Sequence, residues 1–526
     1  MSRTRVRMTA SSKRSARLAK AVAAGSVLLL IPAGVGWSQE AEPPLVLRGA
    51  APSGSIAGSS GAISPGSTNG SPPTEPAQAA RPGTTGATPP PKRQPRRSRA
   101  PTAAPVHAQV RTAPTFHDLG PAVQPTLVGL PDPALPVLPL RKKLTVDEPY
   151  APVGIRIGNI NFFPLIGENI GYDSNPNRVN REQRKSSFVS QTEGELRIQS
   201  DWSRHEFTGY LRGAYNEYPS VSDASRPEGQ GKVGLRLDVA RDTIVDAEGH
   251  YLLDTERPGS PELGVTVRER PIVSTEGGSV GVTQRFNRFA ATLRGTIDRT
   301  DYQDVILSNG SVLDQGDRAF TQYGGRLRLA YEFSPAFAPF IEGLGDTRVY
   351  DRKTDRSGFQ RSSDGVGARI GAGFELTRLV KGEVSAGAIQ RRYDDPRLRN
   401  LTSPLVDASV SWAATPLTTL RLTSQMSIEE TSVVGATGIV VSRATLELAH
   451  DLRRNLTVTP AFTFYQSDYQ GVPILERGYA ASVKLDYRLT RQIAVRASYI
   501  HEWLKSSLPG SDYTSDVFLV GMRVQP

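Results

Sequence analysis

From about residue 154 to residue 524 the sequence is a succession of eighteen short segments in which apolar and polar residues alternate, and none has the period of an amphipathic helix. A pair near the end shows the rule. Val483, Leu485, Tyr487 and Leu489 fall on one side, with Ser482, Lys484, Asp486 and Arg488 on the other; then Ile493, Val495, Ala497 and Tyr499 oppose Ala494, Arg496 and Ser498. Successive side chains of a strand point to opposite faces, so each segment reads as a strand with one apolar and one polar face. The strands are expected near 154–173, 186–199, 204–218, 230–240, 243–255, 272–286, 288–302, 318–332, 336–350, 364–376, 380–393, 404–414, 417–430, 440–450, 455–469, 477–489, 492–504 and 513–524.

The connections alternate in length. Short ones such as Arg241-Asp242 and Thr490-Arg491-Gln492 are followed by long polar ones: 174–185, 219–229, 256–271, 303–317, 351–363, 394–403, 431–439, 470–476 and 505–512. Alternating turns and loops over an even number of antiparallel strands define an all-β fold, a transmembrane up-and-down β-barrel of 16 to 18 strands, 18 as counted. Both ends of residues 151–526 then fall on the short-turn side, the periplasmic side of a Gram-negative outer membrane. Apolar-out, polar-in strands explain how a membrane protein can have a mean hydropathy of −0.35. Tyr172, Tyr218, Tyr302, Tyr350, Tyr393, Tyr469 and Trp503 before the long loops, and Phe286, Phe289, Phe333, Phe337 and Trp412 beside short turns, read as two interfacial girdles.

Before the barrel the composition changes. Residues 1–150 carry 23 of the 40 prolines and 18 lysines and arginines against 7 acids, whereas residues 151–526 hold 45 of each sign. The net charge of +11 therefore belongs to the N-terminal part, and the barrel itself gives no electrostatic reason to expect nucleic acid. Residues 1–38 have the basic start and short apolar run of a secretory signal peptide. Residues 39–150, rich in Pro, Gly and Ser, read as a disordered periplasmic extension that cannot bury enough apolar surface to fold. The absence of cysteine excludes disulfides, lipoprotein acylation and thiolate metal sites.

The opening of the barrel region, "GIRIGNINFFPLIGENIGYDSNPNR" (Gly154 to Arg178), with "GYDSN" entering the first long loop, resembles the β-barrel porin type 2 family of outer-membrane proteins. The resemblance runs from about residue 150 to the C-terminus. It implies outer-membrane lipid and lipopolysaccharide as surroundings and the barrel-assembly machinery as a partner. The chain ends in Pro526, where many such barrels end in an aromatic residue.

Few residues suggest catalysis. "GGSVG" (Gly277 to Gly281) matches a serine nucleophile elbow but lies inside a strand rather than at a strand-to-helix turn, so glycines easing strand curvature is the favoured reading. His250 with Asp246 and Glu248, or His501 with Glu502, are the candidate acid–histidine groupings; alternation puts His501 and Glu502 on opposite faces. Asp351, Asp355, Asp364, Asp394 and Asp395 are interleaved with Arg352, Arg356, Arg361, Arg391 and Arg392, which reads as solvated loop tips. No enzyme, cofactor or metal is expected.

The polar face carries the functional reading. Arg212, Arg236, Asp238, Arg294, Asp298, Arg326, Arg328, Arg369, Glu375, Arg421 and Arg496 are expected to line the lumen, where charge sets ion preference. A barrel of this size leaves an aqueous channel unless a loop folds inward, and 256–271 or 303–317 could constrict it. The expected function is passive or weakly selective diffusion of small hydrophilic solutes. An alternative is a conduit exporting a polymer such as an exopolysaccharide, with residues 39–150 engaging periplasmic partners. Assembly into homo-oligomers is compatible with either.

Overall fold

The structure is a computed structural model of the 526-residue chain; it describes residues 150–526 except 259, 264–266, 268–269, 308 and 378. The expected signal peptide and the Pro-rich segment lie outside the described residues.

Twenty-one strands follow in chain order: β1 (Ile155–Ile157), β2 (Ile160–Asp173), β3 (Ser187–Ser200), β4 (Glu206–Glu217), β5 (Arg226–Ala240), β6 (Thr243–Thr255), β7 (Ile272–Phe286), β8 (Phe289–Tyr302), β9 (Val305–Ile306), β10 (Val312–Leu313), β11 (Phe320–Tyr331), β12 (Phe337–Tyr350), β13 (Ser363–Thr377), β14 (Val380–Tyr393), β15 (Leu401–Thr415), β16 (Thr418–Glu429), β17 (Gly438–Arg453), β18 (Leu456–Gln470), β19 (Ile474–Arg488), β20 (Ile493–Ser506) and β21 (Tyr513–Val524). Eighteen of them, β2–β8 and β11–β21, each pair antiparallel with their neighbours. The ring closes where β2 pairs with β21 from Ile166↔Val524 to Asp173↔Val517. All eighteen strands expected from alternation fall on these elements. β1 folds back on β2, and β9 and β10 form a small hairpin within the loop between β8 and β11.

Closure follows from the backbone. With no water in the bilayer core, each strand N–H and C=O must find a partner, and a closed ring leaves no edge. Outward-facing Val366, Ile370 and Leu376 of β13 are exposed, as are Leu327 of β11 and Ile341 of β12, which is the apolar belt that lipid requires.

Two expectations need correction. Residues 470–476 do not form a long loop: β18 and β19 run on to Gln470 and from Ile474, leaving a three-residue turn in which Gly471 takes a left-handed conformation (φ 99°). The upper aromatic girdle is also misassigned. Tyr218, Tyr350 and Tyr469 are buried, and Tyr302 and Tyr393 share their strands' inner parity; Arg318 lies over the Tyr302 ring and Tyr393 packs on a buried apolar cluster. Only Tyr172 and Trp503 of that set face outward, Trp503 stacking on Tyr479. Phe286, Phe289, Phe333, Phe337 and Trp412 are exposed at the short-turn end as expected.

Candidate channel lumen and mouth

The inner face is a lattice of ion pairs, and glycines decide which residues can meet. On β7, Gly277 stands in register between His250 of β6 and Asp298 of β8, and Gly281 between Asp246 and Arg294. With no side chain on the middle strand, the outer two reach over it: His250 Nε2 lies 3.0 Å from Asp298 Oδ1, and Arg294 pairs with Asp246. The same device recurs over Gly365, where Arg391 of β14 reaches Asp346 of β12, and over Gly167, where Arg523 of β21 meets Glu193 of β3 at 2.7 Å. Thus "GGSVG" is a stretch of strand whose glycines admit ion pairs between its neighbours. Ser279 accepts a hydrogen bond from Arg294 Nη1 at 2.9 Å.

The arginines named from sequence lie on the inner face, and most are held by acids. Arg212 meets Glu193 (3.3 Å), Arg236 meets Asp238 (2.9 Å) and Arg421 meets Glu447 (3.5 Å); Arg496 lies between Asp486 (3.3 Å) and Glu193 (3.7 Å). Arg328 bridges Glu342 (2.8 Å) and Glu383 (3.0 Å), while Arg369 bridges Glu342 (2.7 Å) and Asp407. Glu375 is in register with Lys381 near the short turns. Arg326 alone among them has only a distant partner, Glu342 at 3.9 Å. Sequence reasoning named the cations and missed most of their anions, Glu193, Asp246, Glu342, Glu383, Asp407 and Glu447. The same alternation would have placed these acids inside; which cation each meets depends on register.

At the long-loop end, the described residues of the 256–271 segment do not project outward. They form a strap across the barrel, and none of the described strap residues is exposed. Arg257 Nη2 reaches Glu476 Oε1 of β19 at 2.5 Å, seven strands away round the ring. Glu262 accepts from the Thr431 hydroxyl (2.5 Å) and from the Ser432 backbone N–H (2.6 Å), in the loop after β16. Arg270 donates to the Pro176 carbonyl (2.6 Å). Leu263 and Val267 pack with Val305 of β9, and Arg318 pairs with Glu256 at 2.8 Å. Of the two loops expected to constrict the lumen, 256–271 crosses it, and the β9–β10 hairpin of the other packs against the crossing strap.

Burial raises the Glu262 carboxyl above its ordinary range against the opposing pull of Arg318, and it lowers Arg270 to about 9 with help from Arg226 and Arg178. A second loop is locked as well: Arg361 pairs with Asp355 at 2.6 Å and donates to the Ala436 and Val433 carbonyls. In that loop Asp355 and Arg361 are buried, whereas Asp351, Arg352 and Arg356 stay exposed as expected and pair with Arg299, Asp314 and Asp317 of other segments.

"GYDSNPNR" forms a latch at the seam. Arg178, in a left-handed conformation (φ 54°), reaches Asp173 of β2 (2.8 Å) and Glu502 of β20 (2.7 Å), spanning the β2–β21 junction. Asp173 accepts from the Ser515 hydroxyl of β21, and the Asn175 amide donates to the Thr514 and Val179 carbonyls. Of the histidines, His501 points outward to Asp516 (2.7 Å) with Glu502 buried on the other face. Among the described residues no cluster of His, Asp and Glu could hold a metal.

A closed eighteen-stranded antiparallel barrel with an apolar belt, a charged interior and an inward loop defines a porin-like protein of the outer membrane. Residues 148–526 match the family described as "Putative beta-barrel porin 2", and the chain belongs to that family. No curated protein matches the chain. Among solved structures it is similar to a "Copper transporter OprC" (10% identity, 71% of this chain and 81% of that one, TM-score 0.39). It is also similar to Pseudomonas aeruginosa OccK2 (OpdF) in complex with glucuronate (11%, 70% and 99%, 0.37) and to the Pseudomonas aeruginosa outer membrane protein opdK (13%, 70% and 100%, 0.35).

Proposed function

We propose that the chain is a channel for restricted, weakly selective diffusion of small hydrophilic solutes, with its long-loop mouth narrowed by the 256–271 strap. The observation that carries this reading is the combination of a charged inner face with a loop anchored on the opposite wall. Unbraced loops would leave an eighteen-stranded barrel wide open; a strap sets a size limit at one level, and the paired charges below it weight the passage of ions. Membership of a porin family supports it. The polymer-export reading rests on residues 39–150, outside the described residues, and no feature of the barrel favours it.

The test is single-channel conductance of the refolded full chain in planar bilayers under a salt gradient. Small steps that grow when Arg257 and Glu262 are both replaced by alanine are expected. A heat-modifiable, folded barrel that stays silent with and without these anchors would overturn the proposal.

A further inference from the structure

Midway along β11, Arg326 is buried in the wall, its side chain 3% exposed, and among the described residues no acceptor lies within hydrogen-bond reach of any of its three guanidinium nitrogens. A guanidinium offers five N–H donors, and a buried cation left without acceptors is costly. The neighbours cannot supply them. Glu342 is the one nearby carboxylate, yet its Oε2 already accepts from Arg328 Nε at 2.8 Å and its Oε1 from Arg369 Nε at 2.8 Å, leaving Arg326 Nη1 at 3.9 Å. Across the ladder Arg326 stands directly opposite Arg294 of β8, a like-charge pairing that disfavours the sheet. Arg294 itself turns away, over Gly281, to Asp246 and Ser279.

The sequence thus places four arginines together, satisfies three with the wall's own acids, and leaves the fourth buried with no protein acceptor for its donors. We propose that Arg326, backed by Arg294, is a binding site for a small oxyanion, the carboxylate or phosphoryl group of a solute inside the barrel. Such a group presents two oxygens that a guanidinium fork meets side by side, and it neutralises the positive excess that the pairing of Arg326 with Arg294 creates. A halide has no such pair of oxygens. The proposal rests on the channel reading only in that the solute reaches the site from the short-turn mouth.

Equilibrium binding to the refolded full chain in detergent tests it without requiring conductance, so a silent bilayer and a failed site are separate results. Calorimetric titration at constant ionic strength uses potassium phosphate, sodium succinate and sodium chloride. Saturable binding of phosphate or succinate, at least tenfold weaker in Arg326→Gln and unchanged in Arg299→Gln on the outer rim, is expected. Preference between the two oxyanions identifies the phosphoryl or the carboxylate group as the ligand. Arg326→Lys keeps the charge without the fork and is expected to bind more weakly than wild type, which also serves if the glutamine variant fails the heat-modifiability check. Equal heats for chloride, no saturable binding by any anion, or wild-type affinity in a folded Arg326→Gln or Arg326→Lys barrel would each overturn the site.

Discussion

Glu262 accepts a hydrogen bond from the Ser432 backbone N–H at 2.6 Å and another from its hydroxyl at 2.8 Å, although 170 positions separate the two residues and their strands stand on opposing sides of the ring. The contact fixes the tip of the strap to a loop that is itself held by Arg361 and, through Glu430, by Arg348 and Tyr350. The long-loop mouth is therefore a set of mutually anchored segments.

Acid is expected to favour the strapped form. Burial holds the Glu262 carboxyl above the value of about 4.3 that it would have in water, so the strapped state binds its proton more tightly than a released loop does. As pH falls from neutral through the raised value, the strap gains stability, and the gain is complete below about 4.3. Arg318 and Glu256 face the same carboxyl from the neighbouring loop and the strap base, with opposing influences. Open-channel dwell times should shorten on acidification in wild type and lose that dependence in Glu262→Gln.

Gly365→Val is expected to cost about 3 kcal/mol, the order of a broken buried ion pair. A Cβ there would sit 2.7 Å from Asp346 Oδ2 and 2.9 Å from Arg391 Nη2, forcing the bridging pair apart. Gly295→Ala, on the outer face with nothing within 4 Å of the added carbon, should be near neutral. Urea unfolding of the two variants in lipid vesicles checks the contrast.

Arg178→Ala should destabilise the barrel by about 3 to 5 kcal/mol, because it leaves Glu502 and Asp173 buried without their cation. Adding Glu502→Gln should recover part of that loss. A double-mutant cycle on unfolding midpoints measures the coupling, and additive losses would remove Arg178–Glu502 from the account of the seam.

Ile370→Arg on β13 is expected to cost about 2 to 4 kcal/mol if the outer face meets hydrocarbon there, as its 67% exposure beside other apolar residues indicates. Refolding yield and urea midpoint in vesicles report it; an unaffected variant would mean that this position does not face lipid.

Period-two alternation located all eighteen barrel strands because the membrane enforces it along every strand. The same rule, applied residue by residue, already assigns Tyr302, Tyr350, Tyr393 and Tyr469 to the inner face; proximity to a loop was the weaker cue, and it misplaced them. The positions of Arg294 and Arg328 were legible, but their partners depend on register, which turns on loop lengths and on glycines such as Gly281 that let side chains skip a strand. The path of the strap was not legible at all. Its sequence is as polar as that of any exposed loop, and only the acceptors waiting on the opposite wall distinguish Arg257 and Glu262 from solvated charges.

The strap has a mechanical consequence. In the wall the backbone of each strand is hydrogen-bonded only to the strand on either side, so the barrel is a hoop, stiff against stretching along its circumference but easily flattened into an oval by lateral pressure from the bilayer. Residues 256–271 act as a spoke, tied at Glu476 and Ser432 to points about two fifths of the way round in either direction. A spoked rim keeps its outline under load, so the cross-section beneath the strap should stay constant as membrane thickness and tension change, while the unspoked end at the short turns takes up the deformation.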